Sequence, residues 1–302
     1  MRLTNHAVGM PFEAFHRNCI QIPFVVNHHM RKAERETVQK RRPETELRYA
    51  IKYYDLLDRG SVNRFLGAVE EMIRSGRTAD LADSGALPKL KQLLSGDDLK
   101  TVFEAQSLIV KTVHGDPNGR FSAGLLSGGG LDLILNMIFV EDRPPGSGEK
   151  NGRASRPDHA RMIRGNALYI LGHLLSKGFV PEIMDTVMVD ILLGRSEDED
   201  PVSRGNALFC FRMAARTDPN HFFNMGTVSK RTREMLDDPD PGVREEAVRA
   251  LLAFLEGDIV QGEHLEGVSG TVERLAGSLD METLKAAEQV LLILKERGFM
   301  EE

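Results

Sequence analysis

Histidine and cysteine are the side chains of this sequence that could hold a metal ion or act as a nucleophile. We interpret the histidines of the helical part of the chain as isolated residues, without the carboxylate or histidine at i, i+3 or i+4 that a helical metal site needs. These histidines are His114, His173, His221 and His264. The expectation is therefore solvated or packed histidines, with no metal and no cofactor.

Two further patterns could carry chemistry, and both favour structural roles. Cys19 and Cys210 are too few for a disulfide framework or a Cys-type zinc site. Cys210 stands between Phe209 and Phe211, so we expect core packing. The glycines of GLLSGGGLD are followed by no Lys-Ser/Thr pair and preceded by no predicted strand, which predicts a turn between helices and not a phosphate loop.

The composition favours a helical protein. The 302 residues are 41% hydrophobic but only 6% aromatic with no Trp, while Leu, Ala, Glu and Arg are frequent. No apolar run of 18 residues and no secretory h-region near Met1 occurs. We therefore expect a cytoplasmic protein with free thiols, no membrane span and no small-molecule substrate.

Charge is unevenly distributed between the first residues and the rest of the chain. Residues 1–42 hold eight Lys or Arg and three acids, a charge of +5, so residues 43–302 carry −11 of the total of −6. An acidic body argues against nucleic-acid binding, because that affinity rests on clustered cations. The basic segment is predicted to be a poorly ordered arm, and three explanations stay open: a reading frame extended upstream of Met30, a solvated tail, or a targeting peptide.

Residues 141–158, EDRPPGSGEKNGRASRPD, interrupt the helical pattern. Pro, Gly, Ser and charged residues replace all apolar ones except Ala154. This composition predicts a flexible inserted loop. It is either a docking or modification loop or a tolerated insertion.

The motif RGNAL occurs twice, at 164–168 and 204–208, and belongs to a longer repeat of period 40. Three sets of residues share this register. They are Arg164, Arg204 and Arg244; Ala167, Ala207, Ala247 and Ala287; and Leu171, Phe211, Leu251 and Leu291. Asp200-Pro201 and Asp240-Pro241 provide a capping carboxylate and a proline at two helix starts, so RGNAL begins a helix and is not a catalytic motif.

The period and the turns together resemble HEAT and armadillo repeats. MLDDPDPGVREEAVRALLAFL, residues 235–255, resembles a HEAT repeat, and this resemblance implies that Asp240 and Arg244 form structural ladders between units. SGALPKLKQLLSGDD and SGGGLDLILNMI resemble the armadillo version, with a glycine turn before a helix. The expected fold is all-α, a single right-handed α-solenoid of about six repeats over residues 43–302.

The resemblance implies a binding scaffold that presents a concave groove to a protein or peptide. Peptide-binding armadillo proteins carry a Trp and an Asn four residues apart on each groove helix, and this ladder is absent here. The predicted groove residues are instead Tyr169, His173, Phe209, Arg212, Met213 and Arg249. Such Arg and aromatic anchors favour a partner with acidic and apolar groups. Two alternatives stay open: the aromatics merely pack, or the partner binds the other helix layer, residues 180–192, whose apolar residues are predicted to form one stripe.

Two other functions remain as alternatives. The first is a HEAT-fold enzyme of the lyase or hydroxylase type. Against the hydroxylase, whose iron is held by His-Glu dyads, the sequence has no His-Glu dipeptide. Nucleic-acid binding through the basic arm alone is the third hypothesis. We expect a non-enzymatic protein.

Overall fold

A computed structural model describes residues 43–141, 159–221, 225–260, 262–277 and 280–300. The basic arm, residues 1–42, and nearly all of the predicted loop, residues 142–158, lie outside the described residues. The described part forms helices and turns and contains no strand. It divides into two compact units, with the boundary between Ile170 and Leu171 inside one helix.

Helices α1 to α7 belong to the first unit. They are α1 Pro43–Lys52, α2 Arg59–Arg74, α3 Thr78–Leu81, α4 Ala86–Leu94, α5 Leu99–His114, α6 Arg120–Leu126 and α7 Gly130–Ile138. Helix α8, His159–Ser176, begins in this unit and ends in the second. The Gln106 side chain on α5 donates to the Ile163 carbonyl at 2.9 Å, and Arg164 donates to the Val140 carbonyl at 2.8 Å. These bonds hold the start of α8 against α5 and α7.

The remaining helices belong to the second unit. They are α9 Val180–Ile183, α10 Thr186–Arg195, α11 Pro201–Thr217, α12 Met225–Glu234, α13 Pro241–Glu256, α14 Val268–Ala276 and α15 Met281–Glu296, with 3₁₀ turns at Pro219–His221, Met235–Asp237 and Gly262–His264. Helix α11 packs along α13, and α13 packs along α15. The longest helices of successive repeats therefore lie side by side.

The alanines that repeat every 40 residues lie where these long helices are buried against their neighbours. Ala167, Ala207, Ala247 and Ala287 each have no exposed surface, and Ala105 in α5 is equally buried. A small side chain at each crossing lets two helix backbones approach closely. The repeated alanine is thus a packing requirement of the stacked helices.

The helices begin at the two local patterns seen in the sequence, an Asp-Pro pair and a glycine turn. Asp240 accepts hydrogen bonds from the Gly242 and Val243 N–H groups at 2.9 and 3.2 Å, and Pro241 occupies the first helical position, where its missing N–H costs nothing. Before α4 and α7, Gly85 and Gly129 adopt φ of 80° and 79°, a conformation that only glycine enters easily. The predicted glycine turns are therefore confirmed.

The prediction of one apolar stripe over residues 180–192 is wrong at Val187. Asp185 accepts a hydrogen bond from the Met188 N–H at 2.7 Å and starts a second helix, which splits the segment into α9 and α10. The break changes the helical phase, and Val187 is left 65% exposed while Met188 is buried.

Within the described ranges, no single helix has the length and apolar composition needed to cross a membrane. Helices α6 and α7 reach that composition only as a pair, and they are bent by 78° at the break between them.

Candidate functional site

An arginine ladder joins successive repeats on the start side of the long helices. The Arg204 guanidinium donates to both Asp238 carboxylate oxygens at 2.8 and 2.7 Å, and this contact raises the pKa of Arg204. Arg204 also donates to the Asp198 and Glu199 carbonyls at 2.9 and 3.0 Å. A bidentate pair of this kind fixes one repeat against the next.

The ladder differs in one residue from the prediction based on Asp240. Asp240 is the N-cap of α13, while the carboxylate that pairs across the repeats is Asp238, two residues earlier. Arg244 takes the same position one repeat later and donates to the Asp238 and Pro239 carbonyls at 2.7 and 3.0 Å. Asp240 therefore caps the helix, and Asp238 makes the ion pair between repeats that the resemblance assigned to Asp240.

Phe209 is the centre of an aromatic cluster on α8 and α11. Its ring lies 5.4 Å from the His173 ring in an edge-to-face arrangement, and the Arg212 guanidinium carbon lies 5.2 Å from the same ring. A Cβ added at Gly172 would come within 2.3 Å of the ring. Glycine at 172 is therefore what lets Phe209 pack on α8, and only 8% of Phe209 stays exposed.

A line of alternating charges continues from Arg212 across the next two long helices. Arg212 donates to Glu246 on α13 at 2.6 Å, and Arg249 lies 3.8 Å from the other oxygen of Glu246. Arg249 also bonds Asp280, the N-cap of α15, at 3.2 Å. The side chains of Glu246 and Arg249 are only 1% and 11% exposed, so both guanidiniums are neutralised by carboxylates close to the protein interior.

Glu245, beside this line, is a buried carboxylate with a perturbed proton affinity. Burial raises its pKa, and the nearby negative charge of Asp280 raises it further, against the opposing effect of Arg249. The pKa of Asp280 is lowered, because hydrogen bonds from Thr283 and the charge of Arg249 outweigh its partial burial. The pKa values of two neighbouring carboxylates are therefore shifted in opposite directions, upward for Glu245 and downward for Asp280.

The predicted groove residues fall in both units. His173, Phe209, Arg212, Met213 and Arg249 belong to the second unit, where the first three touch and Arg249 joins them through Glu246. Met213 follows Phe209 by one helical turn and is half-buried. Tyr169 is also half-buried, but it lies before the boundary, in the first unit. We call the five residues of the second unit the Phe209 surface.

The sequence analysis missed the two carboxylates that pair with the arginines of the Phe209 surface, Glu246 and Asp280. Glu246 is 34 residues from Arg212, and Asp280 is 31 residues from Arg249. The available signal was that both acids lie at the start of the helix one repeat after the arginine. A comparison of residues 40 positions apart could not reveal these pairs, because their partners are separated by fewer than 40 residues.

The histidines and Cys210, considered from the sequence as metal ligands or as a nucleophile, can now be compared with their surroundings in the fold. His221 is not isolated, contrary to the sequence interpretation, because its Nδ1 lies 2.7 Å from Asp218, three residues earlier. Across the described residues, no group of three or more His, Cys, Asp or Glu side chains could hold a metal ion. Cys210 is completely buried, and burial raises the pKa of its thiol well above the ordinary value. A thiol in this state is a poor nucleophile.

The fold is shared with designed armadillo repeat proteins of known structure. One of them aligns with a TM-score of 0.61 and 16% identity over 82% of this chain and 100% of its own. A second was solved in complex with the peptide (KR)4 and aligns with a TM-score of 0.61 and 17% identity over 82% of this chain. An engineered protein gives a TM-score of 0.62 over 85% of this chain. No protein-family model and no curated protein sequence matches the chain.

These alignments confirm the predicted all-α repeat fold, while the extent of a single solenoid over residues 43–302 stays a prediction. The chain has an all-α fold of the armadillo type, built from stacked helical repeats.

Proposed function

We propose that this chain is a non-enzymatic binding scaffold and that its Phe209 surface receives an extended peptide segment of another protein. The observation that carries the proposal is the line of side chains from α8 to α15, in which aromatic and charged groups contact one another from each helix to the next. A rigid stack loses little conformational entropy on binding, which suits it to a ligand that must itself be ordered.

The chemistry of the surface supports a basic peptide over an acidic one. The sequence alone favoured acidic partners because of Arg212 and Arg249, but Glu246 and Asp280 neutralise both guanidiniums. Residues 43–302 carry −11, and a field of that sign attracts a basic segment. A protein of the same fold that was solved with (KR)4 supports the same class of ligand.

The test measures binding of fluorescent (KR)4 to the full chain at physiological salt. We expect saturable binding by the L-peptide and binding at least roughly tenfold weaker by the D-enantiomer, since ordered groove contacts are chiral and a diffuse field is not. The acidic peptide (DE)4 is expected not to bind. Equal binding of the L- and D-peptides would reduce the interaction to general electrostatics, and binding of (DE)4 alone would refute the charge assignment.

Two variants locate the site. Met213→Arg places a cation on the Phe209 surface and should weaken (KR)4 binding roughly fivefold, by about 1 kcal/mol of repulsion. Val187→Arg places the same cation on the exposed side of α10 and should change the affinity by less than about twofold. The reverse order of effects would assign binding to the other helix layer. The circular dichroism of both variants should match that of the unmodified chain.

The cytoplasm remains the compartment that we propose for this scaffold, because Cys210 is a buried free thiol. Salt-sensitive binding of nucleic acid that requires residues 1–42 would favour the alternative function of the basic arm.

A further inference from the structure

The outward face of α15 carries a short stripe with no partner within the described residues. The opposite face of this helix is buried through Thr283, Ala287, Val290 and Leu294. The outward stripe consists of Met281, Lys285, Glu288 and Leu292, all of them exposed. Met281 and Leu292, the two apolar members of the stripe, are 72% and 57% exposed.

The spacing of the stripe places its members on one side of the helix. Successive residues are four, three and four positions apart, the spacing of a helix that packs along another helix. The two apolar side chains lie at the ends and the two charged ones in the middle. Within the described chain, neither Lys285 nor Glu288 takes part in an ion pair.

The pattern is complementary to itself in the antiparallel direction. Met281 and Leu292 are equally far from the midpoint of the stripe, and so are Lys285 and Glu288. A two-fold axis through that midpoint would bring Lys285 of each copy to Glu288 of the other, with a Met281–Leu292 contact on either side. A parallel arrangement would instead oppose Lys with Lys and Glu with Glu.

We propose that α15 joins two copies of this chain as an antiparallel, two-fold symmetric helix pair. The charge pattern selects the orientation, and the exposed Met281 and Leu292 provide the apolar area. A single helix pair buries less surface than a standard stable interface, so the dimer is weak and is populated at micromolar or higher concentration. The inference concerns a different surface from the Phe209 surface and does not depend on the peptide ligand.

Sedimentation velocity of the full chain over a wide concentration range tests the charge pairing. Lys285→Glu and Glu288→Lys each create two like-charge pairs, and each should weaken dimerisation at least about tenfold. The double variant Lys285→Glu/Glu288→Lys restores complementarity in the exchanged sense and should return to within about threefold of the unmodified chain. A chain that stays monomeric throughout, a dimer insensitive to both single variants, or a double variant as weak as the singles would overturn the proposal.

Cysteine cross-linking tests the orientation, in a chain whose Cys19 is replaced by Ser. Mixing the Met281→Cys and Leu292→Cys variants should give a disulfide-linked dimer, because these positions face each other. Met281→Cys alone should not cross-link, because the two copies of position 281 lie about 16 Å apart, eleven residues at 1.5 Å each. Efficient cross-linking of Met281→Cys with itself would contradict the antiparallel pair. Unchanged helical circular dichroism establishes that each variant is folded.

Discussion

The ion pair between Arg212 and Glu246 gives the sharpest test of how the Phe209 surface is held together. Arg212 is 17% exposed and Glu246 only 1%, with 2.6 Å between the bonded atoms. Arg212→Met keeps the aliphatic stem but leaves Glu246 with Arg249 at 3.8 Å as its remaining cation. Removing one partner of a buried pair costs about 3–5 kcal/mol, and because the contact with Arg249 remains, we expect a loss of about 3 kcal/mol.

The assay is urea unfolding followed by circular dichroism, with Arg274→Met as the matched control. Arg274 pairs with Asp237 at 3.5 Å, but both side chains are about two-thirds exposed, so its loss should cost no more than about 0.5 kcal/mol. The double variant Arg212→Met/Glu246→Met removes both buried charges and should regain most of the lost stability. If Arg212→Met costs no more than Arg274→Met, the Arg212–Glu246 pair does not hold the Phe209 surface together.

Two further predictions follow from the same helices. Gly172→Ala should lower the free energy of unfolding by about 1–2 kcal/mol, because overlap with the Phe209 ring outweighs the gain in helix propensity. Gly67→Ala, in mid-helix with open space around it, should instead raise that free energy by about 0.5–1 kcal/mol. Equal effects of the two variants in thermal unfolding would contradict the close packing of Phe209 on Gly172. Glu245→Gln should raise the melting temperature at neutral pH, since a carboxylate whose pKa in the folded state is raised by burial and by Asp280 opposes folding when it is ionised. This gain should vanish as the pH falls below about 4.3, where the carboxylate is protonated in both states. A gain that grows in acid would contradict the raised pKa of Glu245.

Much of the fold could be predicted because it depends on local rules that repeat. The alanines at intervals of 40 follow from close helix crossings, and Asp240 with Pro241 follows from capping. Both patterns involve few residues, and each repeats the same physical requirement. The phase change at Asp185 was missed because a polar residue inside an apolar run can either face solvent or cap a new helix.

The candidate site was only partly accessible from the sequence. The common register grouped Phe209, Arg212 and Arg249 on one set of helices, and the structure links them through contacts. The pairing of Arg212 with Glu246 depends on how far one helix is displaced along the next. That displacement is set by packing over the whole repeat, and no single segment encodes it.

Photo-cross-linking of a benzophenone-labelled (KR)4 peptide to the full chain tests whether the Phe209 surface is the peptide-binding site. Mass spectrometry of the cross-linked peptides then identifies which helices the ligand touches. We expect modification of Met213 and of neighbouring residues on α11 and α13, and we expect excess unlabelled L-peptide, but not its D-enantiomer, to suppress it. Modification confined to α10, α12 or α14, or cross-links unaffected by the competitor, would contradict the assignment of the Phe209 surface as the peptide-binding site.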